Sequence, residues 1–328
     1  MLSFVIRGGK LHPEEKQIPR LKPGWAVVRV SLAGICNTDL EILRGYHEFC
    51  GTPGHEFVGE VVDCAERRWI GQRVVGEINI ACEGLGRRAK CNFCRRGIPT
   101  HCEHRRVLGI IGHDGAFAEY LTLPVCNLHK VPDNVSDEQA VFTEPLAAAC
   151  EILEQVRITE HREVAVLGDG KLAQLIARVL QTRVPRVTMF GKHANKLSLA
   201  RKAGIATSRV NRETRGVWKA KKHWTMVIEA TGSRRGMERA LAMVAPRGTL
   251  VLKSTFHGAA RFETWPIVVN EISVVGSRCG PFRPALDLLR RGEVDPRPLI
   301  SRVIPLHKAE AAIQYAQRLG VMKVLLKP

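Results

Sequence analysis

The sequence is poor in aromatic residues, has no long apolar run and contains fewer acidic than basic side chains. Phe, Trp and Tyr make up 5% of the 328 residues, which supplies little of the aromatic platform on which single-stranded nucleic acids stack. No apolar stretch approaches the roughly eighteen residues of a membrane-spanning helix. The opening segment MLSFVIRGGKLHPEEK has neither the apolar core nor the cleavage site of a secretory leader. We therefore expect a cytoplasmic protein that does not insert into membranes.

The shortage of acidic side chains leaves a strongly basic chain. Against 50 Lys and Arg there are 32 Asp and Glu, which gives a formal net charge of +18 and an isoelectric point of about 9.9. The basic residues are spread along the chain, and the densest runs, GRRAKCNFCRR and RGVWKAKKH, are short. This distribution favours an enzyme that attracts anionic ligands over a protein whose main function is to bind nucleic acid.

The pattern of apolar residues changes along the chain. Short β segments such as WAVVRVSLAGIC and FVGEVVDC are separated by Gly and Pro, which predicts a compact β-rich domain. SDEQAVFTEPLAAACEILEQV then predicts two helices, with Ser136 and Gln139 as a capping box and Pro145 in the second helix's first turn. Glu144, just before that proline, is expected outside the helical region. From residue 161 strands alternate with helices, which predicts a doubly wound parallel sheet of the α/β class.

A glycine-rich turn in this second part predicts a dinucleotide site. VAVLGDGKLA places Gly168, Gly170 and Ala173 in the G-x-G-x-x-A pattern between a strand and a helix. The first glycine allows the tight turn, the second lets the backbone approach a pyrophosphate, and the small third residue allows close packing. Lys171 and Leu172 open the helix, whose first N–H groups face the phosphates.

The end of the next strand bears on the kind of dinucleotide. NAD-binding folds carry an acid there for the ribose, and VTMFGKHANK has none. Gly191 leaves room for a 2′-phosphate, and Lys192 and His193 would attract one. The sequence therefore favours NADP(H) over NAD(H), unless these two cations are ordinary solvated loop residues.

Two sets of residues have the composition of metal sites. Cys91, Cys94 and Cys102 follow a C-x2-C-x7-C spacing, and eight residues separate Cys82 from Cys91. Four thiolates would hold a structural Zn²⁺ with no position open for substrate. The alternative is a basic loop with four reduced thiols.

The second set combines sulfur, nitrogen and oxygen ligands. It consists of Cys36 in GICNTDLE, His55 and Glu56 in GTPGHEFVGEVV, and Glu144. Such a mixture suits a catalytic Zn²⁺ that keeps a place for water or substrate. Thr38 has a hydroxyl that can pass on a proton, and Asp39 can orient an imidazole.

These motifs together resemble the zinc-dependent medium-chain dehydrogenases that act on alcohols, polyols and threonine. The resemblance covers almost the whole chain and includes TEPLAAA and EISVVGSRCGPF besides the motifs above. It implies a β-rich, GroES-like catalytic domain over residues 1–145 and 283–328, with a structural-zinc lobe near 80–105. A Rossmann domain would span residues 146–282. Alcohol dehydrogenase is itself a familiar example of a catalytic zinc held by Cys and His.

The resemblance also assigns roles to individual residues. It implies that Cys36 and His55 are catalytic zinc ligands, that Glu144 takes the third ligand position, and that Glu56 can approach the metal. Thr38 matches the hydroxyl of the proton relay, and the four lobe cysteines match a structural zinc. The lobe departs from the family in one respect, because its first two cysteines are usually separated by two residues.

The expected activity is hydride transfer between a nicotinamide cofactor and a small alcohol or polyol, or its ketone or aldehyde. A cyclitol or an amino alcohol would suit the same chemistry. A metal-free reductase is disfavoured by Cys36, His55 and Glu144, and an inactive zinc protein that binds nucleic acid is the alternative of another class. The resemblance further implies a homodimer or a homotetramer.

Overall fold

The computed structural model describes residues 1–45, 48–158, 163–210, 224–255 and 263–328. The basic run at 215–223 therefore lies outside the described residues. Two compact units are formed, one from Met1–Glu144 with Phe282–Pro328 and the other from Pro145–Pro281. None of the helices in the described part of the chain combines the length and apolar character that crossing a bilayer requires.

Strands and helices alternate unevenly along the chain. The strands are β1 (Leu2–Arg7), β2 (Lys10–Glu15), β3 (Trp25–Gly34), β4 (Glu56–Cys64), β5 (Arg73–Gly76), β6 (Asn79–Ile80), β7 (Arg106–Leu108), β8 (Gly112–His113), β9 (Tyr120–Pro124), β10 (Leu128–Lys130), β11 (Val164–Leu167), β12 (Val187–Gly191), β13 (Ala206–Arg209), β14 (Trp224–Glu229), β15 (Val244–Leu252), β16 (Ser273–Gly276), β17 (Ile300–Pro305) and β18 (Lys323–Lys327). The helices are α1 (Asn37–Leu43), α2 (Asn92–Arg95), α3 (Asp137–Ala140), α4 (Thr143–Gln155), α5 (Lys171–Gln181), α6 (Ala194–Lys202), α7 (Arg234–Met243), α8 (Trp265–Val269), α9 (Phe282–Arg290) and α10 (Ala309–Ala316).

The first unit is built around a sheet in the order β10-β5-β4-β3-β18-β17, with β9 also paired to β3. Strand β3 is antiparallel to β4, β9 and β18, while β17 and β18 run parallel. The apolar run Ala26–Val28 on β3 is almost completely buried, which explains its continuous hydrophobicity. The pairing of β3 with β18 joins the two separate parts of the chain in one sheet.

The second unit contains a parallel six-stranded sheet in the order β13-β12-β11-β14-β15-β16. Counted within this unit, the order is 3-2-1-4-5-6, which is that of the Rossmann fold. Helix α5 packs on β11 and β12, and α7 packs on β14 and β15. The order reverses between β11 and β14, and ligands of such sheets bind beyond the carboxyl ends of the strands at this point.

One local prediction is wrong. Glu144 belongs to the first turn of α4 and is not outside the helix. The following Pro145 lies early enough in α4 that its missing N–H deprives the helix of no internal hydrogen bond. The helix can therefore begin at Thr143, whose hydroxyl donates to the Ala140 carbonyl at 2.7 Å. The capping prediction for α3 agrees with the structure, since the Gln139 side chain accepts from the Ser136 N–H at 3.0 Å.

Candidate metal and cofactor sites

The pairing of β3 with β4 brings Cys36, His55 and Glu56 together. Cys36 lies between the end of β3 and the start of α1, and His55 immediately precedes β4. Gly34 on β3 is the direct partner of Glu56 on β4, so the reversal of the chain places these segments side by side. One ligand atom from each of the three residues lies within 4.8 Å of the others.

The chemistry of this set fits a zinc ion. Glu56 is 1% exposed, and its Oε1 has no hydrogen-bond partner among the described residues. A buried carboxylate oxygen without a partner is unfavourable, and a cation would satisfy it. Sulfur, imidazole nitrogen and carboxylate oxygen are all ligands that Zn²⁺ accepts.

Asp39 and Thr38 surround this set from the first turn of α1. Asp39 is fully buried, its Oδ2 accepts the Cys36 N–H at 2.7 Å, and its Oδ1 lies 3.3 Å from His55 Nδ1. Burial acts to lower the pKa of His55, but the charge and hydrogen-bonding of Asp39 and Cys36 together outweigh it, and the pKa lies well above its ordinary value. With Nδ1 beside Asp39, Nε2 is the nitrogen left for a metal. Thr38 Oγ1 lies 3.7 Å from Cys36 Sγ.

A lysine distant in sequence completes the surroundings of Glu56. Lys323 on β18 is 2% exposed, and its Nζ forms an ion pair with Glu56 Oε2. Burial acts to lower the pKa of Lys323, but the attraction of Glu56, Cys36 and Asp39 together outweighs it and raises the pKa. A Cβ on Gly34 would collide with the same carboxylate, so a glycine is required there. The sequence prediction missed Lys323, although a lysine beginning the apolar run KVLL is a signal that could have found it.

Glu144 is not part of the set of mutually close ligand atoms. It lies in the first turn of α4, where the positive end of the helix dipole favours a carboxylate. The structure thus brings together three of the four residues predicted for this metal and places the fourth outside the group.

The four lobe cysteines form a second set within 4.8 Å of one another. The Sγ atoms of Cys82 and Cys102 are 3.6 Å apart, and those of Cys91 and Cys102 are 3.8 Å apart. Four sulfurs at about 2.3 Å from one tetrahedral ion would be separated by about 3.8 Å, so the spacing fits Zn²⁺. The Cys94 N–H lowers the pKa of Cys91 to about 6, whereas burial raises the pKa of Cys94 to about 12, so Cys91 is the sulfur of the two that the protein alone favours as a thiolate.

The insertion between Cys82 and Cys91 folds as a compact turn with its own hydrogen bonds. The Leu85 N–H donates to the Ala81 carbonyl, and the Arg87 N–H donates to the Cys82 carbonyl, at 3.0 and 2.9 Å. The chain then enters α2 directly after Cys91. The extra residues leave the arrangement of the four sulfurs intact.

The glycine-rich turn joins β11 to α5 at the reversal of strand order. Gly168 has a φ of +131°, and a Cβ there would collide with the Ala230 carbonyl at the end of β14. A Cβ on Gly170 would meet no atom of the described residues within 4 Å, which leaves open space there before the first N–H groups of α5. Ala173 is fully buried against the sheet. This cradle fits a pyrophosphate, with Lys171 and Leu172 as the first residues of α5.

Lys192 and His193 follow β12 directly, and both have an unexpected partner. Their backbone N–H groups donate to the carboxylate of Asp169, the residue between the two glycines of the turn. Asp169 is 8% exposed. The sequence prediction missed it because the x position of a G-x-G pattern does not show where its side chain points.

Comparison with known proteins decides the family. The pattern described as alcohol dehydrogenase GroES-like domain matches residues 22–133, and the one described as zinc-binding dehydrogenase matches residues 169–291. An erythritol/L-threitol dehydrogenase of Mycolicibacterium smegmatis is 30% identical over 89% of this chain and 87% of its own length. A D-altritol 5-dehydrogenase of Agrobacterium fabrum is 30% identical over 93% of this chain and 92% of its own.

The chain is a zinc-type medium-chain dehydrogenase/reductase. Solved structures agree with this assignment. A structure from Escherichia coli CFT073, described as a short chain alcohol dehydrogenase with NADH, superposes with a TM-score of 0.92 at 28% identity over 100% of this chain and 99% of that one. A zinc-binding dehydrogenase from Sinorhizobium meliloti 1021, bound to NADP, gives 0.90 at 27% identity over the full length of both.

These findings confirm several predictions. The dehydrogenase has the predicted family, the GroES-like and Rossmann fold classes, and the predicted enzymatic reaction, hydride transfer between an alcohol and a nicotinamide cofactor. A zinc ion and a nicotinamide cofactor are supported as well. The alternative of an inactive nucleic-acid-binding protein does not agree with this membership.

Proposed function

We propose that this dehydrogenase oxidises a secondary hydroxyl of a polyol to the ketone, and reduces the ketone in the reverse direction, at a zinc held by Cys36, His55 and Glu56. The observation that supports this most directly is the largely buried set of three unlike ligand atoms, in which Glu56 Oε1 has no partner among the residues that the structure describes. The polyols in the names of the two relatives at 30% identity support the substrate class. A cyclitol or an amino alcohol would undergo the same reaction.

A bound zinc would supply Lewis acidity, which lowers the pKa of a hydroxyl group beside it. The protein's own residues would have separate tasks. Asp39, beside Nδ1 of His55, would orient the imidazole and leave Nε2 to bind the ion. Thr38, which is half-exposed beside Cys36, takes the proton of the substrate hydroxyl towards solvent. A bound nicotinamide would supply the acceptor for the hydride of the substrate carbon.

Glu56 is the carboxylate that we propose as the resting ligand, and Lys323 is the residue that positions it. The Glu56 side chain uses Oε2 for Lys323, which leaves Oε1 for the metal. The family resemblance places Glu144 in the catalytic site, and we propose that it acts there without binding the resting zinc, because its carboxylate is not among the mutually close ligand atoms. Cys82, Cys91, Cys94 and Cys102 would hold a second, structural zinc.

The cofactor preference depends on the end of β12. The predicted preference for NADP(H) rests on the missing acid at Gly191 and on the cations Lys192 and His193. Asp169 now supplies an acid beside Gly191, which removes the first of these two grounds.

Exposed apolar side chains at one edge of the Rossmann sheet bear on the assembly of the enzyme. Trp265, Val268 and Val269 on α8 and Val274 on the edge strand β16 are 42–74% exposed. An apolar edge of this kind supports a homodimer, or a homotetramer built from it. Val274→Lys should lower the molar mass measured by light scattering, whereas Val62→Lys, at a half-exposed valine of β4, should not.

All ten cysteines are free, which agrees with a location in the reducing cytoplasm.

The test of the catalytic assignment compares two cysteines. Cys36→Ser should abolish oxidation of alcohols and polyols with either cofactor and lower the zinc content by about one ion per chain. Cofactor binding, measured by titration, should be nearly unchanged. Cys50→Ser alters an exposed cysteine as the matched control and should keep activity and zinc. Retained turnover in Cys36→Ser with the zinc of the lobe alone would exclude the proposed site.

A further inference from the structure

The side chain of Asp169 occupies the place of the acid that the end of β12 lacks. A methyl group built on Gly191 would lie 2.5 Å from the Cβ of Asp169 and 2.6 Å from its Oδ2. These separations are far below van der Waals contact, so a side chain at 191 and the present Asp169 exclude each other. The glycine at position 191 therefore leaves the space that the carboxylate of Asp169, from the glycine-rich turn, occupies.

The Asp169 carboxylate is held by three groups that follow β12. Its Oδ2 accepts the N–H groups of Lys192 and His193 at 2.7 and 2.8 Å. The His193 Nδ1 lies 3.0 Å from Oδ2 and 3.1 Å from Oδ1. The two N–H groups lie directly before α6, where backbone donors attract an anion. In this protein the Asp169 carboxylate is the anion that these two N–H groups bind.

This arrangement has opposite consequences for the two cofactors. The end of the second strand is where a Rossmann fold contacts the adenosine ribose. A 2′-phosphate would meet a carboxylate there, and two backbone donors that could bind it are occupied. A 2′-hydroxyl group would instead donate to the carboxylate. Lys192 and His193 thus have a role that the sequence could not show, because their backbones hold an acid in place.

We propose that Asp169 is the residue that selects the cofactor: it supplies, from the glycine-rich turn, the ribose-binding carboxylate that NAD-dependent folds carry at the end of the second strand, and it makes the dehydrogenase prefer NAD(H) to NADP(H). The inference rests on the proposed use of a nicotinamide cofactor, and it reverses the preference predicted from the sequence.

The test measures binding as well as turnover. The zinc-loaded enzyme is titrated with NADH and NADPH, and by calorimetry with the fragments 5′-AMP and 2′,5′-ADP, which carry only the adenosine end. The unmodified enzyme should bind NADH at least about tenfold more tightly than NADPH, the size of one hydrogen bond to a charged group. Asp169→Asn should reduce this preference to within about threefold, and Asp63→Asn, an exposed control on β4, should leave it unchanged.

A swap of the two positions makes the test sharper. Asp169→Gly alone should lose the preference for NADH over NADPH. The double variant Asp169→Gly with Gly191→Asp should regain it, because the carboxylate then lies at the end of β12. Thermal melting confirms that each variant is folded. An unmodified enzyme that prefers NADPH and 2′,5′-ADP, or an unchanged preference in Asp169→Asn, would overturn the inference and leave the dehydrogenase function standing. An enzyme that binds neither cofactor would overturn both.

Discussion

Replacing Lys323 with Met should destabilise the zinc-free protein strongly, because the change leaves the Glu56 carboxylate buried without its partner. Lys323 and Glu56 are 2% and 1% exposed, so water cannot replace the missing ammonium group. Removal of one member of a buried ion pair typically costs about 3–5 kcal/mol. We expect a loss of this size in the free energy of unfolding of the first unit, measured by urea titration with fluorescence and circular dichroism.

The same sheet contains a matched surface pair for comparison. Arg29 on β3 and Glu60 on β4 form a salt bridge at 2.9 Å with side chains 55% and 39% exposed. Arg29→Met should therefore cost at most about 1 kcal/mol. The double variant Lys323→Met with Glu56→Gln should recover part of the loss, since no charge then remains buried.

Zinc gives a further check on the same pair. An ion bound at Glu56 would offset part of the uncompensated charge, so added zinc should reduce the loss in Lys323→Met. If Lys323→Met costs no more than Arg29→Met in the zinc-free protein, the pair is not buried as described. The reasoning that assigns Lys323 to Glu56 would then fail.

Three further predictions concern single side chains. Glu56→Gln should lower the zinc content by about one ion per chain, whereas Glu144→Gln should lower turnover and keep the zinc, as measured by elemental analysis. Cys91→Ser should release the zinc of the lobe and lower the melting temperature, and Cys126→Ser, at an exposed cysteine, should do neither. Burial lowers the pKa of His113, so the unfolded chain binds more protons below about pH 6.5 and stability should fall on acidification from there. His113→Gln should weaken this dependence in unfolding experiments at pH 5 to 7.

The sequence predicted those features that depend on local pattern. The glycine turn of Gly168 and Gly170 and the alternation of strands and helices are visible in short windows, and so is the cysteine spacing of the lobe. Strand β13 has no comparable local signal, since ATSR has little apolar character and lies at the sheet edge.

The features that could not be predicted depend on contacts between distant residues. Lys323 is 267 positions from Glu56, and only the pairing of β18 with β3 brings them together. Asp169 is 22 positions from Gly191, and its orientation depends on the adjacent ends of β11 and β12. A rule that searches for an acid at one strand end finds none, although the fold delivers one from the neighbouring turn.

The position of Lys323 on β18 has a consequence for biosynthesis. The ribosome completes the whole Rossmann unit, Pro145–Pro281, before it reaches residue 323. That unit is continuous, so it can fold while the chain is still growing. The GroES-like unit is discontinuous, so the Glu56 carboxylate has no lysine partner until β18 has emerged and paired with β3. The ion pair of Lys323 with Glu56 is therefore among the last contacts of the enzyme to form.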